Sequence, residues 1–416
     1  MRLPFTGLWR HSDFVKLWTG QTISMFGSRI SFLALPLTAV LVLEATPAQM
    51  GLLTAANSLP SLLLGLFVGV WVDHYRRRPI LIAADVGRGL LLLIIPLAAV
   101  FGILHLQLLY LIAFLVGTLG LFFDVAYRSF LPTLVETDQL VEGNSKLEMS
   151  RSVAEIAGPG VAGGLIQLVT APIAIAVDAL SFFVSVLFLG LMRTPESKPE
   201  PPAQQQNVWQ EIGAGLKFVA HNRLLRAIAG CIGMLSLFNS IIEAVSILYM
   251  ARNLDIDPGL LGVIYAGGSV GFLLGTFLPN WITRRFGLKT GIIGGVLLVG
   301  GSDLLILLLD RSMAMIIIIL VLMTAQFCFG LGFIVFNIGQ VSLRQAVTPV
   351  HLQGRMNATM HFITWGIVPV GSLLGGWLGE TIGLRSTLFL AALGELLAAG
   401  WLFLSPVWAW REQSQQ

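Results

Sequence analysis

GLFVGVWVDHYRRRPILIAADVGR, residues 65–88, decides how this chain folds. An apolar run ends at Val72, a short charged turn follows, and a second apolar run begins at Pro79. The turn holds one acid, Asp73, and three consecutive cations, Arg76, Arg77 and Arg78. A bilayer's hydrocarbon core takes about 20 apolar residues per helix, and the backbone polar groups inside it must be paired internally. Two membrane-length helices joined by so few residues must lie antiparallel and side by side, with the charged turn at the water boundary.

The composition extends that reading to the whole chain. Of 416 residues, 56% are hydrophobic and 11% charged, and the mean hydropathy is +0.83. Soluble domains carry about 25% charged residues, so most of this surface is made for lipid. Twelve spans follow: 14–43, 48–72, 79–101, 105–131, 146–168 and 172–192, then 224–250, 259–282, 289–309, 314–342, 356–380 and 386–408. Cys231 and Cys328 both fall in apolar runs, which excludes a disulfide framework or a cysteine-rich metal site. The first span is too long for a cleavable signal and is expected to stay as an anchor. With the N-terminus cytoplasmic, 20 of the 25 Lys and Arg fall on cytoplasmic segments and helix edges. The positive-inside rule then puts both termini in the cytoplasm of a cell in whose inner or plasma membrane the chain sits.

One break interrupts the pattern. TPESKPEPPAQQQN, 194–207, has no apolar period and reads as a flexible linker. It divides an N-terminal six-helix bundle, 1–192, from a C-terminal one, 223–416, with 193–222 as a cytoplasmic linker. Within that linker Trp209, Ile212, Leu216 and Val219 recur at helical spacing, as in a short amphipathic surface helix or a plain lead-in to the next span. The fold class expected is all-α: twelve transmembrane helices in two pseudo-symmetric bundles. Sliding 123–166 onto 336–379, an offset of 213, pairs Phe123 with Phe336, Ser129 with Ser342, Asn144 with Asn357, Gly158 with Gly371, Gly163 with Gly376 and Leu165 with Leu378.

These features resemble the major facilitator superfamily of secondary transporters. GVWVDHYRRR, 69–78, is similar to its signature of Gly, three residues, Asp, a cation, any residue, Gly and two cations. Gly69, Asp73, Arg77 and Arg78 match; His74 and Arg76 depart from it. The Arg76 departure, with 26–60, ADVGRGLLLL at 84–93 and VDALSFFVSVL at 177–187, resembles the drug:proton antiporter branch that holds macrolide and siderophore exporters. GPGVAGG, 158–164, is similar to that group's helix-5 export motif, with Gly158, Pro159, Gly163 and Gly164. The resemblance implies alternating access and a conformational latch at Gly69, Asp73, Arg77 and Arg78. Read without it, Arg76–Arg78 are topology charges and the glycines ordinary helix packing.

Charges inside spans come next, each costing ~2.5–3.5 kcal/mol at a helix centre and so facing a cavity or a partner. Ser236, Asn239, Ser240, Glu243 and Ser246 form one polar stripe on the seventh span. Glu243 on it reads as a proton-carrying carboxyl or as a hydrogen-bonded structural one. The first span carries Arg29 and the fourth Asp124. The resemblance puts those helices together, so Arg29 is expected to pair with Asp124 in a proton-operated switch or a static pair. Glu155 stands just before the glycine motif as a further candidate. Asp85 and Arg88, three apart, are expected to satisfy each other. Asp178, Asp303 and Glu395 fall on spans that the resemblance makes outer scaffold.

No phosphate-cradling loop, metal-ligand cluster or soluble catalytic domain is visible, so an enzyme is not expected and no cofactor is called for. The dispersed basic residues give no nucleic-acid surface. The expectation is a monomeric efflux transporter for a small amphipathic or hydrophobic compound, working in the lipid bilayer on the proton gradient. Alternatives are a siderophore or lysophospholipid translocator and a transport-inactive receptor or scaffold.

Overall fold

The computed structural model describes residues 7–194, 196, 208–349, 352–405 and 407, without the side chains of 66, 70, 73, 208–212 and 214. Helices form where the apolar runs predict them. The first half holds α1 (Ser12–Leu37), α2 (Pro47–Asp73), α3 (Arg77–Val100), α4 (Leu106–Leu134), α5 (Leu140–Val169) and α6 (Ala171–Gly190). After α7 (Val208–His221) come α8 (Arg223–Arg252), α9 (Pro258–Gly275), α10 (Leu278–Phe286), α11 (Leu288–Ile306) and α12 (Met315–Ala346). The chain continues through α13 (Gln353–Gly366), α14 (Val368–Thr381) and α15 (Leu384–Phe403). Among the described residues, 11 spans are long and apolar enough to cross a membrane. With the 27-residue α2, which contains positions outside the described side chains, every predicted span has its helix. The chain is a multi-pass membrane protein.

Two expected continuous spans are each broken. The run 259–282 becomes α9 and α10, and 356–380 becomes α13 and α14. In both, the second helix has proline at its second position, Pro279 or Pro369. A proline ring displaces the carbonyl four residues earlier, here Gly275 or Trp365, and supplies no N–H. Pro36, Pro96, Pro132 and Pro159 sit inside continuous helices, where a membrane bundle can re-satisfy the freed carbonyl.

The described residues fall into two compact units. Unit 1 lies within Met1–Ala45, Ala56–Ala203 and Asp257–Gly262; unit 2 lies within Thr46–Ala55, Gln204–Ile256 and Val263–Gln416. In unit 1, α1 packs on α5 and α6, and α3 on α4 and α6. In unit 2, α8 packs on α14 and α15, and α11 on α12 and α15, which is the same arrangement repeated. Lipid tails give apolar side chains little reason to associate, so close approach at small residues has to supply much of the attraction. In unit 1 a Cβ built on Gly163 would stand 2.5 Å from the Pro258 carbonyl oxygen and 2.8 Å from Gly262 Cα. In unit 2 the matching contact joins Gly51 and Gly376, whose Cβ would lie 2.7 Å from Gly376 Cα.

The repeat also shows in the backbone. Thr170 between α5 and α6 has φ 84° and ψ 154°, and Gly383, 213 residues on, has φ 87° and ψ 155°. Glu44 after the first span (φ 49°) and Asp255 after α8 (φ 57°) stand 211 apart. Each is followed by the same bond, Ala45 N–H to Ala39 O at 2.9 Å and Ile256 N–H to Met250 O at 3.1 Å. An L-residue enters the left-handed region only at a cost, so two such matches are a stronger sign of duplication than the six identities.

Candidate functional site

Arg29 on α1 is bound by Glu155 on α5, not by Asp124 as expected. Its Nη2 donates to Glu155 Oε1 at 2.9 Å, with side chains 35% and 44% exposed. Gly158, three residues after Glu155 and on the same face of α5, seats the stem: a Cβ there would lie 2.6 Å from Arg29 Cβ. The first glycine of the helix-5 motif is thus the place where Arg29 passes α5. Gly163 is needed for the approach described above, whereas a Cβ on Gly164 meets nothing within 4 Å. Pro159 lies within the unbroken α5.

Asp124 belongs to a second group in unit 1, centred on Arg88. The Arg88 guanidinium donates to Asp85 on its own helix, as the spacing predicts. It lies between the rings of Phe123 and Phe182, 4.3 and 4.2 Å from their centroids. Each such contact contributes ~0.5–2 kcal/mol, the more so when desolvated. Asp124 is exposed and within electrostatic reach of Arg88, Arg128 and Arg151. Asp178, 1% exposed, feels Arg88 and Asp85. Gly27 leaves room for it, since a Cβ there would stand 2.6 Å from Asp178 Oδ1. One buried cation therefore faces three acids from α3, α4 and α6.

In unit 2 the predicted stripe lies on α8. Ser240 is 1% and Ser246 9% exposed, Asn239 is half-buried, and Glu243 is exposed. Ser246 lies within electrostatic reach of Tyr265 of α9. Among the described residues no cation pairs with Glu243.

The basic turn that opens the chain's reading is stitched into unit 1. Arg78 donates from Nε to Leu189 O at 2.8 Å and from Nη2 to Gly190 O at 2.9 Å, a cation on the carbonyl end of α6. Glu196 accepts from the backbone N–H of Arg77 at 2.6 Å and of Arg78 at 3.0 Å, an anion on the N-terminus of α3. Asp13 of α1 accepts from Arg193 N–H at 2.8 Å and Thr194 N–H at 2.7 Å. The expected linker is therefore held to the bundle at 193, 194 and 196, and 195 and 197–207 lie outside the described residues. The Asp73 side chain also lies outside them. A Cβ on Gly69 meets nothing within 4 Å. Nearby on α2, Trp71 packs edge-on against Phe122 of α4, with ring centroids 5.2 Å apart.

Two functional candidates escaped the sequence reading. Glu196 sat in a stretch read as featureless, and its only signal was an acid placed shortly before the linker prolines. Tyr265 had none, because it becomes polar company for Ser246 only when α9 packs.

A family model described as transmembrane secretion effector matches residues 4–416. The multidrug efflux pump Tap of Mycolicibacterium fortuitum is 27% identical over 382 residues, 89% of this chain and 90% of that protein. Macrolide efflux protein A of Streptococcus pyogenes is 24% identical over 273 residues, 64% of this chain and 66% of that one. Among solved structures, the nucleoside transporter NupG matches with TM-score 0.76 at 12% identity, covering 96% of this chain and 100% of that chain. A bacterial homologue of the iron transporter ferroportin, solved inward-facing, gives TM-score 0.72 at 16% identity, covering 94% and 98%. At these identities the structural likeness is one of fold.

Proposed function

Because the chain belongs to the transmembrane secretion effector family of the major facilitator superfamily, we propose that it exports small amphipathic or hydrophobic compounds across the cell membrane in exchange for protons. Relatives named as multidrug and macrolide efflux proteins support the direction and the substrate class. The observation that carries the coupling is the Arg29–Glu155 pair, a part-exposed ion pair inside two spans. A proton on Glu155 removes the charge that holds Arg29. A cationic or hydrogen-bonding compound competes for the same carboxylate, so proton and cargo exclude each other there, as exchange requires. Pairing also keeps either charge from facing the bilayer alone, which would cost ~2.5–3.5 kcal/mol at its centre. Both termini are assigned to the cytoplasm, and a single chain suffices for the scheme.

The test is efflux of a compound panel from cells, with and without a protonophore. Wild type should expel at least one amphipathic compound, and the protonophore should stop it. Glu155→Gln should lower efflux at least tenfold and leave the remainder insensitive to the protonophore. Export that keeps its protonophore sensitivity in Glu155→Gln removes this residue from the coupling.

A further inference from the structure

Asp303 of α11 and Glu395 of α15 meet inside unit 2, where nothing in the export scheme uses them. They are 8% and 0% exposed, and their carboxyl groups lie within hydrogen-bonding reach of each other. Among the described residues no donor reaches Asp303 Oδ2 or either oxygen of Glu395. The two helices approach closely beside the pair: a Cβ on Gly300, one turn before Asp303, would lie 2.9 Å from the side chain of Leu396. Two facing carboxylates without a cation repel strongly in a dry interior, and a single proton turns that repulsion into an O–H···O bond.

Charged neighbours are few. Of the elements packed on α11 and α15, none of α8, α10, α12 and α14 brings a described cation that acts on either carboxyl. Among the described residues, Tyr265 of α9 also lies in electrostatic reach and feels both Asp303 and Glu243.

We infer that Asp303 and Glu395 form a proton-binding site, holding one proton between them. The inference rests on the antiport reading for its role in transport, but not for the existence of the shared proton.

The test uses the full-length protein, purified and reconstituted in liposomes. Infrared absorption of the protonated-carboxyl C=O stretch should show a band that shifts in Asp303→Asn and in Glu395→Gln, where the remaining buried acid keeps a proton of its own. The double variant should lose the band. A band unchanged by both single substitutions overturns the shared proton. Proton flux driven by a substrate gradient, read with an entrapped pH dye, should fall at least tenfold in Glu395→Gln, while substrate counterflow persists. Flux in Glu395→Gln equal to that of wild type overturns the pair's role in coupling and leaves antiport standing. Absence of substrate-driven flux in wild type itself defeats antiport, and that role with it.

Discussion

A single methyl group added at residue 158 should separate α1 from α5 and weaken the proposed coupling pair. In Gly158→Ala the new Cβ would stand 2.6 Å from Arg29 Cβ and 2.7 Å from its Cγ. Carbon atoms rest about 3.5–4.0 Å apart, so about 1 Å has to be found. Arg29 Cβ is fixed to its backbone, and a rotamer change cannot supply the room; the helices must part. Overpacking of this kind costs ~1–3 kcal/mol. Opening the 2.9 Å bond to Glu155 adds at most ~1 kcal/mol, because the two side chains are 35% and 44% exposed. Alanine's better helix propensity returns up to ~1 kcal/mol, leaving a net loss of ~1–3 kcal/mol. Gly160 and Gly164 on the same helix meet nothing within 4 Å, so alanine there keeps the propensity gain alone. Circular-dichroism melts of the three purified variants in one detergent should rank Gly158→Ala below wild type and the other two at or above it. Efflux should fall with the first and persist in the controls. Gly158→Ala melting at or above wild type, or all three shifting together, refutes the reasoning.

Two further outcomes follow from the ends of helices. Glu196→Ala removes the acceptor from two N-terminal N–H groups of α3; the lost cap is worth about 1–2 kcal/mol, and trypsin should cut after Arg193 roughly tenfold faster. An unchanged cleavage rate shows that Glu196 holds nothing. Asp310, in the turn between α11 and α12, accepts from Ser312 N–H at 2.9 Å, which holds its carboxyl below the ordinary range. A depressed folded value stabilises above the unfolded pKa and is lost as pH falls through the folded one. Amide exchange at Ser312, corrected for intrinsic rates, should stay protected at the usual Asp value of about 3.9 and lose protection only in stronger acid. Loss already above that value contradicts the capping.

What could be read from the chain was whatever is local or set by the solvent. Apolar length placed the spans, and the i, i+3 spacing of Asp85 and Arg88 was enough to pair them. Pro279 and Pro369 were visible, but prolines also sit within continuous helices such as α5, and residue type alone does not say which will break. The partner of Arg29 was missed because it depends on which face of α1 meets which helix. Glu155 shares a face with Gly158, and that was the available clue: a small residue one turn from an acid marks where a bulky cation passes. Asp303 and Glu395 lie on helices far apart in sequence, with no periodicity to join them.

The repeat bears on whether that buried acid pair serves the fold. Gly89 on α3 faces Phe183 of α6, and Gly300 on α11 faces Leu396 of α15, in the same registers of 211 and 213 that relate the turns. Carrying Asp303 and Glu395 back by those offsets gives Leu92 and Phe182, 1% and 2% exposed in the matching layer of unit 1. The architecture therefore closes with apolar side chains at these two places, and acids are not needed to fill them. Replacing a buried charged group with a well-packed apolar one is often neutral or stabilising by ~1–4 kcal/mol, whereas breaking one partner is costly. Asp303→Leu with Glu395→Phe should accordingly fold and melt at or above the wild-type temperature. It should lack the protonated-carboxyl band and the substrate-driven proton flux. A double variant that melts lower would mean that the acids hold the helices together. One that melts higher and still moves protons with its substrate would mean that this chain keeps its coupling elsewhere.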